Sequence, residues 1–193
     1  ADAGAPALSV TEHEIVVQGR KLPYTATAGM LKFKSYDGKP KADVFFVAYV
    51  AKQEDGAAFE AAQRPITFAF NGGPGSSSVW LHLGALGPRR VDMGPNDDPE
   101  GAPPAPPPPP YRLVDNEHTW LAFTDLVFLD PVSTGYSRPV EGESPKQFHG
   151  LTEDIEAVGE CIRLYTTQQR RWASPKFLAG ESYGTTRAAG LSG

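Results

Sequence analysis

Three short, largely apolar runs at residues 65–70, 125–130 and 176–179 each stop abruptly at a turn rich in glycine or proline, and this punctuation constrains the chain more than any other feature. Unbroken apolar runs of this length are typical of strands covered on both faces, which are usually the strands of a parallel sheet under helices. The clearest helical pattern lies between the second and third runs. Over residues 151–172, Ile155, Val158, Ile162 and Tyr165 fall on one stripe. Glu153, Asp154 and Glu156 load its first turns and Arg170 and Arg171 its last, in the sense that complements a helix dipole. Cys161 adjoins the stripe and reads as a buried structural thiol. A second helix is predicted over residues 78–86.

The chain opens differently. Residues 13–18, 30–36 and 44–51 read as strands, and Asp37-Gly38 between the last two is a hairpin signal, because both residue types tolerate positive φ. The expected fold class is therefore α/β, with right-handed crossovers, a mostly parallel sheet and an antiparallel N-terminal unit, in one domain over residues 1–193. Chemistry in such sheets sits at the carboxyl ends of strands, where Asn71, Asp130 and Ser182 fall.

Composition removes several function classes. With 18 Lys and Arg against 23 Asp and Glu, the net charge of −5 offers no basic footprint for nucleic acid or an anionic membrane surface. The longest purely apolar run, residues 44–51, is far shorter than the ~18 residues of a spanning helix. One cysteine leaves neither an internal disulfide nor a thiol zinc site. The first seven residues lack the basic and apolar segments of a signal peptide. Seven of the nineteen prolines crowd into residues 103–110, so 94–110 reads as an exposed loop of polyproline II character within the domain. Its functional alternative is a docking segment for a proline-reading partner.

Gly180-Glu181-Ser182-Tyr183-Gly184 matches G-x-S-x-G, the turn that lifts a serine hydroxyl above a sheet between a strand and a helix. An apolar run precedes it and small, helix-compatible residues follow, so Ser182 is the candidate nucleophile. Asn71-Gly72-Gly73-Pro74-Gly75, after another strand, can turn a backbone N–H into the site as one oxyanion donor, with the Tyr183 N–H as the second. A phosphate-binding loop would need a G-K-[ST] ending that is absent here. His13, His82, His118 and His149 are scattered, without metal-ligand spacing, and none is recruited to the site. Neither a metal nor a cofactor is expected.

Three blocks, Asn71 to Ser78, Phe128 to Ser137 and Gly180 to Gly184, occur in the order and at the spacing of the serine carboxypeptidase family, which the chain resembles from about Tyr24 to Gly190. Tyr24 to Gly29 is similar to its bacterial members. The resemblance implies the amino-terminal portion of an α/β-hydrolase fold, with Ser182 as nucleophile and the N–H groups of Gly73 and Tyr183 as the oxyanion hole. It further implies that Asn71 and Glu181 bind the carboxylate of a peptide substrate with a free C-terminus, in a secreted or periplasmic enzyme. Ser76 stands where many eukaryotic relatives carry a disulfide cysteine, and Asp130-Pro131 lacks a glutamine often inserted there. The fold orders its triad Ser, then Asp or Glu, then His, yet residues 183–193 contain neither Asp nor His. The chain is thus expected to be a partial catalytic domain, inactive by itself. Two other readings are an acyltransferase or esterase on the same scaffold, and a non-catalytic interaction protein using the proline-rich segment.

Overall fold

The computed structural model describes residues 8–35, 37–94 and 107–193. Three long strands open the chain: β1 (Ser9–Val17), β2 (Arg20–Lys34) and β3 (Pro40–Ala51). Gln18 and Gly19 join β1 to β2 with φ of 51° and 79°, the paired positive values of a two-residue hairpin turn. Antiparallel pairing sets Leu31 opposite Val44 and continues from β3 to β7 (Asp125–Leu129). From β7 the pairing turns parallel, through β4 (Ile66–Phe70) to β9 (Lys176–Gly180) at the end of the sheet. The expected mostly parallel sheet is therefore a mixed one, with parallel pairing confined to β7, β4 and β9 among the described residues. The antiparallel unit is hydrogen-bonded into that same sheet.

Every residue of β4 and β7 is buried, and their side chains alternate between two cores. Phe68, Phe70, Val127 and Leu129 meet Val158, Cys161 and Tyr165 of α2 (Leu151–Gln168) on one face. Ala69, Leu126 and Phe128 meet Ile15, Tyr24, Leu86 and Leu121 on the other. Cys161 is the expected structural thiol, and burial pushes it up to about 12. At the sheet's end, β9 leaves Lys176 and Phe177 exposed, although its run had read as another buried strand.

The charges at the C-terminal end of α2 behave differently from their sequence expectation. Helix α2 stops at Gln168, so Arg170 and Arg171 lie beyond it. Arg171 instead reaches Asp125 at 2.6 Å, where the buried carboxylate also accepts from Arg64 Nε and the Ala51 N–H, each at 3.0 Å. This cluster ties the starts of β4 and β7 to the end of β3. Asp154 stands in the first turn of α2 as expected, and there it is buried against Arg187.

After β4 comes a short helix, α1 (Val79–Leu81), continuing as a π-helical turn, His82–Leu86. A two-stranded ribbon of β5 (Arg89–Val91) and β6 (Leu113–Asp115), unforeseen in the sequence, brackets the proline-rich segment. Most of that predicted loop, residues 95–106, lies outside the described residues. A two-residue strand, β8 (Arg138–Pro139), pairs with β3, and α3 (Tyr183–Ser192) follows β9.

Candidate active site

The sheet register assembles the site. Phe70 and Gly180 are partners at the ends of parallel β4 and β9, so the next residues, Asn71 and Glu181, emerge side by side. Asn71 is fully buried and donates from Nδ2 to Glu181 Oε2 at 3.0 Å. Its Oδ1 accepts the Leu81 N–H at 3.0 Å, which fixes the amide's orientation: the oxygen is tied to α1 and the NH2 group faces Glu181.

Ser182 follows immediately, exposed at the N-terminal boundary of α3, with φ 56° and ψ −125°. A non-glycine residue there is strained by about 1–3 kcal/mol. The strain is held in place by backbones packed too tightly for side chains. A Cβ on Gly180 would strike the Gly184 carbonyl oxygen, and one on Gly184 would lie 2.5 Å from the Phe70 carbonyl oxygen. Both glycines of the G-x-S-x-G motif are therefore steric requirements.

The glycine loop packs against this elbow. A Cβ on Gly72 would run into the Tyr183 backbone nitrogen and sit 2.8 Å from the Glu181 carbonyl oxygen. Gly73 has φ 110°, and Ser76 N–H closes the turn onto the Gly72 carbonyl at 3.0 Å. Tyr183 is the first residue of α3, where an N–H has no carbonyl one turn earlier to bond. Asn71, Gly73, Glu181 and Ser182 all line one open cleft of about 550 Å³, together with Ser76, Trp80, Leu81, Gly84 and Ala85. All five candidate residues thus converge: four line the cleft, and Tyr183 adjoins Ser182.

Asp130, the other polar residue at a strand end, has a supporting place. Its Oδ1 accepts the Ser78 N–H at 2.8 Å, pinning the start of α1, while burial raises its carboxyl above the ordinary range. Ser78 Oγ donates to the Leu129 carbonyl and Ser137 Oγ to the Asp130 carbonyl, both as buried groups. Each histidine has a partner elsewhere: Thr11 for His13, Tyr49 for His82, Glu117 for His118 and Ser133 for His149. Among the described residues, no three His, Cys, Asp or Glu side chains gather in metal-binding geometry.

Arg187 is a site residue that sequence reasoning missed. Fully buried, it forms a two-point ion pair with Asp154 (2.7 and 3.2 Å) and donates to the Asn71 carbonyl at 2.6 Å. The available signal was one long cation in a helix otherwise made mostly of Gly, Ala and Thr. Trp80, exposed to 70% at the cleft, was also passed over within its predicted helix.

Comparison with known proteins adds an independent line. The serine carboxypeptidase family model matches residues 19–191. Carboxypeptidase Y homolog A of Botryotinia fuckeliana and that of Neurospora crassa are each 31% identical over 121 residues, covering 62% of this chain and 18% of theirs. The homolog of Trichophyton verrucosum is 29% identical over the same length. The chain therefore spans under a fifth of the length of these curated relatives, all fungal where Tyr24 to Gly29 had pointed to bacterial members.

Proposed function

The chain belongs to the serine carboxypeptidase family, and from that premise we propose that it carries the nucleophile, oxyanion hole and carboxylate-binding groups of a serine exopeptidase built on an α/β-hydrolase fold. The observation that carries the proposal is the strained Ser182 sharing one cleft with Gly73 and the Asn71–Glu181 pair. Ser182 Oγ attacks the carbonyl carbon of the last peptide bond while its proton passes to a base. The carbonyl π electrons move to oxygen, and the oxyanion is held by the Gly73 and Tyr183 N–H groups. Collapse of this intermediate expels the C-terminal residue as a protonated amine and leaves an acyl-enzyme, which water hydrolyses. None of the four histidines lines the cleft, so on this reading the histidine base is not among the described residues. The 193-residue chain alone then has only residual activity.

A substrate carboxylate accepts hydrogen bonds and donates none. Asn71 meets it through the NH2 group, but Glu181 can donate only while protonated. Recognition of a free C-terminus thus falls off where Glu181 is ionised, and by family likeness we place the enzyme as secreted or periplasmic. The test compares kcat/KM against pH for a peptide acid and its C-terminal amide in the full-length protein and in Glu181→Gln. The acid should lose its advantage as pH rises in the wild type and keep it longer in Glu181→Gln, since glutamine donates without titrating. Superimposable profiles for both substrates in both proteins would remove Asn71 and Glu181 from carboxylate recognition.

A further inference from the structure

Arg187 is the largest fully buried side chain among the described residues, and it reaches the Asn71 and Pro74 carbonyls and the Tyr183 ring. Nε and Nη2 face Asp154 Oδ2 and Oδ1 at 2.7 and 3.2 Å, a fork that sets the plane of the guanidinium. Nη1 donates to the Asn71 carbonyl at 2.6 Å and Nη2 to the Pro74 carbonyl at 3.3 Å. Those two carbonyls bracket Gly72 and Gly73. The same guanidinium lies 5.0 Å from the centre of the Tyr183 ring. It therefore grips both ends of the turn that presents the Gly73 N–H while riding on α3, the helix that begins directly after Ser182.

We propose that Arg187 is a positioning residue: fixed by Asp154, it clamps the Asn71 and Pro74 carbonyls and so sets the Gly73 N–H against the Ser182 elbow. The inference rests on the exopeptidase reading above. Alternative anchors for the turn are few. Glycine at 72 and 73 supplies no side chain, and the Gly72 carbonyl is already used by Ser76 within the turn. Helix α3 also lies close against α2, since a Cβ on Gly190 would sit 2.6 Å from Ile155 Cδ1. Asp154 is therefore a fixed reference from a different element, and its position passes through Arg187 to the oxyanion turn. Lysine cannot replace this: one ammonium on a flexible stem keeps the charge opposite Asp154 but loses the planar fork that serves a carboxylate and two carbonyls together.

The test uses full-length protein with active sites titrated by a fluorophosphonate, so that misfolded molecules drop out of the rate. In Arg187→Lys, kcat per titrated site should fall about 10- to 100-fold, since misplacing reacting groups by an ångström costs about that much. KM for a peptide acid should stay within about twofold, because the Asn71 side chain is held separately by the Leu81 N–H. Affinity for a peptidyl boronate, which forms a tetrahedral adduct on Ser182, should fall in step with kcat, while affinity for a product-like peptide holds. Asp154→Asn keeps the carbonyl contacts but weakens the fork, so it should give the same pattern at several-fold amplitude. It decides the matter if Arg187→Lys does not fold. A lower yield of titratable sites with unchanged kcat per site in the variants that fold would make Arg187 structural only and overturn the inference. Wild-type protein that hydrolyses the peptide without fluorophosphonate labelling of Ser182 would instead overturn the exopeptidase assignment, and the inference with it.

Discussion

The antiparallel and parallel parts of the sheet use glycine in opposite ways. In β1, β2 and β3, strands of 9, 15 and 12 residues, the turn glycines Gly19 and Gly38 take φ near 80° and a Cβ on either would meet nothing within 4 Å. Around β4 and β9, strands of five residues, Gly72 and Gly184 are hemmed in by backbone atoms of the opposing segment and Gly180 by those of its own elbow. Glycine in the first region serves the chain's direction; in the second it serves contact between two loops. A side chain at the first kind of site is strained only by its own φ, whereas at the second it collides with neighbouring backbone, and that separates the scaffold from the candidate chemistry.

The largest expected effect comes from making one substitution in both regions. Gly72→Ala should force the oxyanion turn off the elbow and lower kcat/KM of the full-length protein by about 10²-fold or more. Gly19→Ala, strained only by its own φ, should cost about 1 kcal/mol of stability and leave kcat/KM unchanged. Urea melts and steady-state rates on both variants check this. Equal losses of activity would erase the distinction between the regions.

Much of this contrast was legible in the sequence, for physical reasons. Strands β4 and β7 are buried on both faces and so appear as unbroken apolar runs, and the breakers after them mark where the chain must turn. The candidate residues were legible because steric demand makes the motif itself: Gly180 and Gly184 are written into it by backbone crowding. The first half of β2 was not legible. Thr25, Ala26, Thr27 and Ala28 are each half-buried, and alternating Thr with Ala offers too little contrast in hydrophobicity to announce a strand. Arg171 was misread as a helix-end charge because its partner, Asp125, lies 46 residues away, and Asp154, in the first turn as expected, pairs with an arginine 33 residues on that no local pattern announces. A dipole argument is local, whereas a buried ion pair is decided by tertiary packing.

A second prediction concerns the seam between the regions. His82 stacks on Phe128 of β7 with ring centres 4.6 Å apart and bonds Tyr49 of β3 at 2.6 Å. Burial holds its imidazole down to about 4, against an ordinary value of 6.5. The unfolded chain therefore takes up a proton first as pH falls. The stability tied to neutral His82 is complete above about pH 6.5, declines between 6.5 and 4, and changes no further below that. At about 1.4 kcal/mol per pH unit, the loss across this window is at most about 3.5 kcal/mol. His82→Gln, which can still bond Tyr49, should flatten that segment of the stability curve. Parallel curves for the two proteins would free the seam from His82.

The smallest effect is a gain. Ser182→Gly removes the strain of φ 56° and should raise stability by about 1 kcal/mol while abolishing turnover, which thermal melts and rate assays read together. A loss of stability would mean that the elbow is not strained.

The central claim is that the parallel edge presents Ser182 as the nucleophile. Fluorophosphonate treatment of the full-length protein, followed by mass mapping of the adduct, tests it most directly. The elbow and its two backbone donors predict a single adduct on Ser182, lost in Ser182→Ala and slowed in Gly72→Ala. An adduct on Ser77 or Ser137, or none at all on folded protein, would contradict it.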